Sequence, residues 1–274
     1  MSNREPIAPQ RGPFDRPDSR FNTLAGWTWV STYGGSFLQC DQLAAFEHGF
    51  FTRLWHGREP DELAGMISAG VSVHRVRQVH GPLVLAASTV RHPWPEADGL
   101  VSDGGAQSLW VCGADCTPVL LADPRSGRVA ACHAGWRGVA GGILIEAVAR
   151  LRDVGCDPSD LLVALGPAID GRRYQVERTV TLAVAASLSD RPTAQPADPL
   201  QRLLDAGAVL EDAEPGRDRL DIRRVAALQL LDCGIPEERI SHCPLCTARE
   251  TELFHSWRRD GVRAVQWSGI VSQA

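Results

Sequence analysis

At 274 residues, with 44% hydrophobic and 22% charged side chains, the chain has ordinary globular composition and length enough to bury a full core. A net charge of −5 gives no ground for expecting nucleic acid as a partner, and no apolar run approaches the ~20 residues of a membrane span. All 28 basic residues are arginine, which excludes Schiff-base lysine chemistry and the Walker A phosphate loop and leaves anions to arginine or to backbone N–H groups.

Residues 1–20 are polar, rich in Pro and Arg, and lack the apolar stretch of a signal peptide; they read as a disordered tail on a cytoplasmic protein. The eight cysteines are then expected to stay thiols. Residues 21–274 are expected to form one domain. Trp27–Val30 and Phe50–Arg53 read as strands from their aromatic and β-branched content. Val71–Val79 and Leu83–Ala86 flank a QVHG turn. A dense β block follows at Ser108–Cys112, Pro118–Ala122 and Arg128–His133, separated by GAD and DPRSG turns. The period then changes: from Val139 to Val154, apolar residues at 143, 144, 147, 148 and 151 predict an amphipathic helix stopped by Gly155. Asp160–Leu165 is a short strand, 176–188 a helix, and 189–218 a loop or short helical excursion. Asp221 caps a helix through Asp232, and strands at Arg239–His242 and Val262–Val271 close the chain. The fold class expected is α+β with mixed sheets.

Reactive side chains coincide with turn chemistry in three places. QVHG contributes His80, GADCTPVLLAD contributes Cys116, and HAGWRG contributes His133, each beside small residues that permit close approach. Two imidazoles and a thiolate suit Zn²⁺, and three protein ligands leave a position open for chemistry. A buried thiol and two hydrogen-bonded core histidines are the other reading, and spacing alone leaves both open.

These stretches, with the later LGPAI, resemble the laccase-domain family, also called polyphenol oxidase or peptidoglycan editing factor, from about His48 to the C-terminus. The resemblance implies a sandwich of mixed β-sheets flanked by helices, with His80, Cys116 and His133 as ligands of one zinc and as the catalytic residues. It further implies a purine nucleoside phosphorylase acting on adenosine, inosine, guanosine and methylthioadenosine with phosphate, and an accompanying adenosine deaminase activity, in a monomer or homodimer. The sequence departs from the family pattern twice. Only 26 residues separate Arg53 from His80, and Asp170-Gly-Arg172-Arg173-Tyr174 stands where a cysteine-bearing stretch is usual. Both departures bear on substrate preference.

Arg53 and Arg137 lie in the matched motifs and lead Arg258 and Arg259 as candidate phosphate contacts. Asp115 is a candidate acceptor for orienting a histidine, or a turn cap. Cys243 and Cys246 have CxxC spacing, but a zinc ribbon needs a second pair, so packing is the expectation for them and for His242. Trp136 and Trp257 could stack on a base. Neither HExxH nor the HxE/PCxxC nucleobase-deaminase signature is present. Three rival readings remain: a cysteine hydrolase or deamidase of amides or peptidoglycan precursors, with Cys116 as nucleophile and His133 as base; a copper polyphenol oxidase; and a binding module with a closed metal site.

Overall fold

A computed structural model describes residues 24–188 and 198–273 of the chain. The proposed tail at 1–20 lies outside that range, as does the first part of the loop expected at 189–218. Two six-stranded mixed sheets stack face to face, with a three-stranded sheet at one side. The first sheet takes β1 (Trp27–Thr32), β2 (Gly35–Cys40), β3 (His48–Phe51), β15 (Gln266–Val271), β7 (Gln107–Gly113) and β4 (Ser72–Arg75), in that spatial order. The second takes β14 (Ile240–His242), β10 (Leu162–Leu165), β8 (Thr117–Ala122), β9 (Val129–Ala134), β6 (Gly99–Val101) and β5 (Val84–Ala86). The small sheet is β11 (Gln175–Glu177), β13 (Arg217–Leu220) and β12 (Val209–Glu211).

The period of two along β8 and β9 explains the layering. Leu120, Ala122, Val129 and Ala131 point into the space between the large sheets, against Leu38, Phe50, Leu109, Val111 and Ile270. Val119, Leu121, Ala130 and Cys132 point the other way, against helices α3 (Ile143–Asp153) and α6 (Ile222–Asp232). Both faces are dry, so these strands read as unbroken apolar runs. Each fully buried Val or Leu contributes about 1.5–3 kcal/mol of apolar transfer. On the outer face of the first sheet, Phe37, Phe51 and Trp110 pack with Leu63 and Ala64 of α1 (Pro60–Ile67). The result is the expected helix-flanked sandwich.

Several elements differ from the sequence reading. The helix expected from Val139 is two: α2 (Trp136–Ala140) and α3, broken where Gly142 adopts φ +82° and becomes the N-cap of α3. Gly141 sits against Pro82, where a Cβ would come within 3.1 Å, so the pair of glycines serves both the break and the packing. The buried stripe of α3 is Ile143, Leu144, Ala147, Val148 and Leu151, as the spacing requires. Val71–Val79 is strand only over β4, because its later half turns toward the site. The segment after 198 holds the short helix α5 (Pro199–Asp205), one of the two expectations for it, followed by the unexpected strands β12 and β13. The helix capped by Asp221 is α6, and the side chain accepts from the N–H groups of Arg223 and Arg224. The remaining helices are α4 (Arg178–Ala186) and α7 (Trp257–Asp260).

Candidate metal centre

Two crossovers between the large sheets meet at one end of the sandwich. The chain leaves β7 in the first sheet and enters β8 in the second through Ala114-Asp115-Cys116; it leaves β4 and reaches β5 through the QVHG turn. β8 pairs with β9 so that Pro118 faces His133 and Thr117 faces Ala134, which brings Cys116 beside Gly135. His80, Cys116 and His133 therefore converge, with one potential ligand atom from each lying within 4.8 Å of the other two. The imidazole rings meet edge to face at 4.8 Å between centroids. Gly135 makes the approach possible, since a Cβ there would lie 2.8 Å from Cys116 Sγ and 3.2 Å from His80 Cδ2. Two nitrogens and a sulfur at this separation fit a single small, borderline-soft cation. His133 is buried, Cys116 half-buried and His80 exposed, so the cluster is open on the His80 side.

Asp98, fully buried at the start of β6, holds two of the three ligands in place. Its Oδ1 accepts from His133 Nδ1 at 2.8 Å and from the His80 N–H at 2.9 Å. Its Oδ2 accepts from the N–H groups of Val79 at 3.0 Å and Gly81 at 2.7 Å. Three successive main-chain donors thus wrap one carboxylate, which holds His80 at φ +62°. With Nδ1 committed to Asp98, His133 presents Nε2 to the cluster. Asp98 was not singled out in the sequence, where Asp98-Gly99 reads as a turn; an acid directly ahead of a buried strand was the available signal.

Asp115 does a different job from the one expected of it. Among the described residues it makes no hydrogen bond to a histidine. Its buried carboxylate accepts from Thr247 Oγ1 at 2.6 Å and from the Arg258 N–H at 2.7 Å, while its own carbonyl takes the Ile169 N–H. These bonds hold a non-glycine residue at φ +98°, directly before Cys116. Both crossovers therefore carry a residue in the left-handed region, each tied down by a carboxylate.

The electrostatics favour a thiolate. Burial alone would push the Cys116 thiol up, but hydrogen bonds and charge from His133 and His80 bring it down to about 6. Burial likewise opposes the His133 imidazolium, yet Asp98 and Cys116 lift it to about 9. Asp98 is held below the usual carboxylate range, its burial outweighed by His133 and by the Gly81 and Val79 N–H groups. By contrast, burial drives the Cys112, Cys132 and Cys243 thiols up to about 12.

The candidate arginines separate. Arg53 opens a 3-10 turn after β3 and donates to the Thr251 carbonyl at 2.7 Å. Arg137, in the first turn of α2, lies 4.3 Å over the Trp136 ring. Arg258 stacks on Tyr174 at 4.8 Å. Arg259 is spent on Asp260 and on the carbonyls of Thr247 and Phe254. Arg172 and Arg173 rim a cavity of about 390 Å³ with Asp170, Arg219, Cys246 and Arg249. Cys243 and Cys246 are both buried, and Cys246 Sγ accepts the Asp170 N–H, so this pair packs as expected. The Trp257 side chain is exposed.

A family model described as multi-copper polyphenol oxidoreductase laccase matches residues 60–273. The chain belongs to this family. Among its relatives, a purine nucleoside phosphorylase of Synechocystis is 41% identical to this laccase-family chain over 257 residues, covering 90% of the chain and 97% of the relative. The purine nucleoside phosphorylase YlmD of Geobacillus stearothermophilus is 38% identical over 168 residues, 61% of this chain and 56% of that one. The crystal structure of YlmD from G. stearothermophilus superposes with a TM-score of 0.75 at 26% identity, covering 90% of this chain and 99% of that chain. That of Bacillus licheniformis hypothetical protein YfiH gives 0.71 at 26%, covering 86% and 96%. Among the described residues no helix is long and apolar enough to cross a membrane.

Proposed function

We infer that this laccase-family chain is a zinc-dependent purine nucleoside phosphorylase, acting on adenosine, inosine, guanosine and methylthioadenosine, with hydrolytic deamination of adenosine as a second activity. The observation that carries the reading is an open His80–Cys116–His133 cluster in a chain so similar, over nearly all of its length, to a protein named purine nucleoside phosphorylase. His80, Cys116 and His133 would hold the zinc, which supplies Lewis acidity and a means of deprotonating water near neutral pH. The protein's own groups do the rest. Asp98 fixes the His133 tautomer and the His80 backbone, and arginine holds phosphate because lysine is absent. In phosphorolysis a phosphate oxygen bonds to C1′ as the C1′–N9 bond breaks. The electron pair leaves with the purine, which takes up a proton. The ribosyl group is cationic in passage, so a phosphate dianion beside it is stabilising. Cleavage of inosine or adenosine should follow phosphate concentration and yield ribose 1-phosphate; free ribose formed at a phosphate-independent rate would make the protein a hydrolase instead.

A second reading has its own observation. Asp98, His133 and Cys116 stand in series, acid to imidazole to thiol, with the thiol brought down to about 6. That is the order of a cysteine hydrolase or deamidase, in which the thiolate attacks a carbonyl and His133 passes the proton to the leaving amine. Zinc content decides, because a ligated thiolate is a poor nucleophile. Copper polyphenol oxidation is the weaker option: among the described residues there is one such cluster of three, where a laccase needs several coppers.

A further inference from the structure

We propose that Arg137, Tyr174 and Arg258 form the subsite that holds inorganic phosphate beside the metal ligands, an assignment that rests on the phosphorylase reading. The three side chains come from separate parts of the chain. Arg137 follows His133 by four residues at the start of α2. Tyr174 ends the 3-10 turn Gly171–Arg173 and packs on Ile169, Cys246 and Ala248. Arg258 lies in α7, its main-chain N–H fixed to Asp115, the residue before Cys116. One carboxylate thus ties the arginine wall to the ligand turn.

Both arginines have donors to spare. Among the described residues the Arg137 guanidinium makes no hydrogen bond or ion pair; it lies on the face of Trp136, which leaves every N–H free. Arg258 gives Nη1 to the Gln175 carbonyl at 2.7 Å and lays its plane on Tyr174, so its other N–H groups are available. Several neighbouring arginines are paired with acids: Arg259 with Asp260, Arg172 with Asp170, Arg219 with Asp212 and Arg249 with Glu250. The acid closest in this region, Asp115, has both oxygens occupied by Thr247 and Arg258. Arg258 lies directly over the Tyr174 ring at 4.8 Å, and the charges of Cys116, Asp115 and Arg137 also act on that phenol. Two cations with free donors and a neutral hydroxyl suit a tetrahedral dianion, which two arginine forks can clasp from both sides. Arg53 also makes no ion pair among the described residues, but its charge acts on His255 and Asp260 and its side chain is tied to the Thr251 carbonyl, so it is the competing location.

The test uses zinc-loaded full-length protein and inorganic phosphate. Arg137→Ala and Arg258→Ala should each raise the phosphate KM roughly ten- to a hundredfold, and Tyr174→Phe roughly three- to tenfold. Nucleoside KM and zinc content should be unchanged, as should Tm, because both arginine side chains are exposed. Arg258→Lys should recover only part of the loss, a point charge replacing a fork. Calorimetric titration of phosphate without nucleoside gives a readout independent of turnover, in which wild type should bind and the Arg137→Ala/Arg258→Ala double variant should not. A wild-type rate that follows phosphate, with both single variants at wild-type KM and Arg53→Ala impaired, overturns the subsite and leaves the phosphorylase reading standing. A rate indifferent to phosphate overturns the phosphorylase reading; calorimetry then judges the anion site alone, and equal binding by wild type and double variant overturns that.

Discussion

Replacing Asp98 by Asn removes one charge, keeps the shape, and should cost both stability and metal. The carboxylate has four donors to satisfy, two on each oxygen. Asn offers one acceptor oxygen and one NH2 group. If its oxygen faces His133 Nδ1 and the His80 N–H, the NH2 confronts the N–H groups of Val79 and Gly81, donor against donor. If the amide is flipped, the NH2 confronts the His80 N–H and forces His133 Nδ1 to accept, which puts the ring proton on Nε2 and removes that nitrogen as a ligand. The first arrangement strands two part-buried N–H groups at up to about 1–3 kcal/mol each, so up to about 2–6 kcal/mol is lost from a fold of ordinary stability, about 5–15 kcal/mol. The second spares both of these but strands the His80 N–H and gives up a metal ligand. Loss of an orienting carboxylate commonly costs about 10–100-fold in metal affinity. The assays are urea unfolding of metal-free protein and zinc competition against a chelator. A variant with wild-type zinc affinity and an unchanged His133 tautomer by nitrogen-15 NMR would show that the carboxylate neither orients the ligand nor braces the turn.

Three further outcomes follow from the same geometry. Gly135→Ala puts a methyl 2.8 Å from Cys116 Sγ; overpacking of about 1–3 kcal/mol should lower zinc affinity by roughly five- to a hundredfold without unfolding the protein, and unaltered zinc binding would contradict the close approach. In metal-free protein, iodoacetamide should modify Cys116 with a midpoint near pH 6 while Cys132 and Cys243, at about 12, stay inert, and zinc should protect it; Cys116→Ser should lose both the adduct and the metal. His255 Nε2 is buried with no hydrogen-bond partner among the described residues, and burial, with Arg53 and His56 nearby, pulls the imidazole from 6.5 down to about 4. The unfolded chain then binds the proton first, so this contribution to stability is present above pH 6.5 and is lost as pH falls toward 4. His255→Phe should flatten that acid loss by up to about 3 kcal/mol, and parallel pH–stability curves for variant and wild type would refute the assignment.

What could be read from the sequence was local or periodic. The three ligand turns, the stripe of α3 and the Asp221 cap follow from residues within one or two turns of each other. β8 and β9 were readable because both faces of their sheet are covered, so every position is apolar. The Asp98–His133 bond joins residues 35 apart through the pairing of β6 with β9, and no local pattern announces it. β2 begins at Gly35 behind a Gly-Gly pair that reads as loop, and β6 is three residues long, with its first glycine against Val84. The bonds of Asp115 are hidden for the same reason: its partners, Thr247 and Arg258, are 132 and 143 residues away.

Asp98 and Asp115 show why this end of the sandwich can hold a reactive cluster. Carrying the chain from one sheet to the other in a short turn puts His80 at φ +62° and Asp115 at φ +98°, where a side chain is unfavourable by roughly 1–3 kcal/mol. Glycine at either place would relieve the strain, but it would delete the ligand in one case and the carboxylate in the other. Each turn is held instead by an acid with both oxygens engaged, Asp98 across the His80 turn and Asp115 across the turn before Cys116. The scaffold is thereby set before any metal arrives, with a thiol already drawn down to about 6 between two imidazoles. A metal site and a thiolate nucleophile demand the same preorganisation, so geometry within the triad does not separate them. Zinc content does, and the free guanidinium donors of Arg137 and Arg258 lend support to the phosphorylase we propose, because they suit a phosphate dianion.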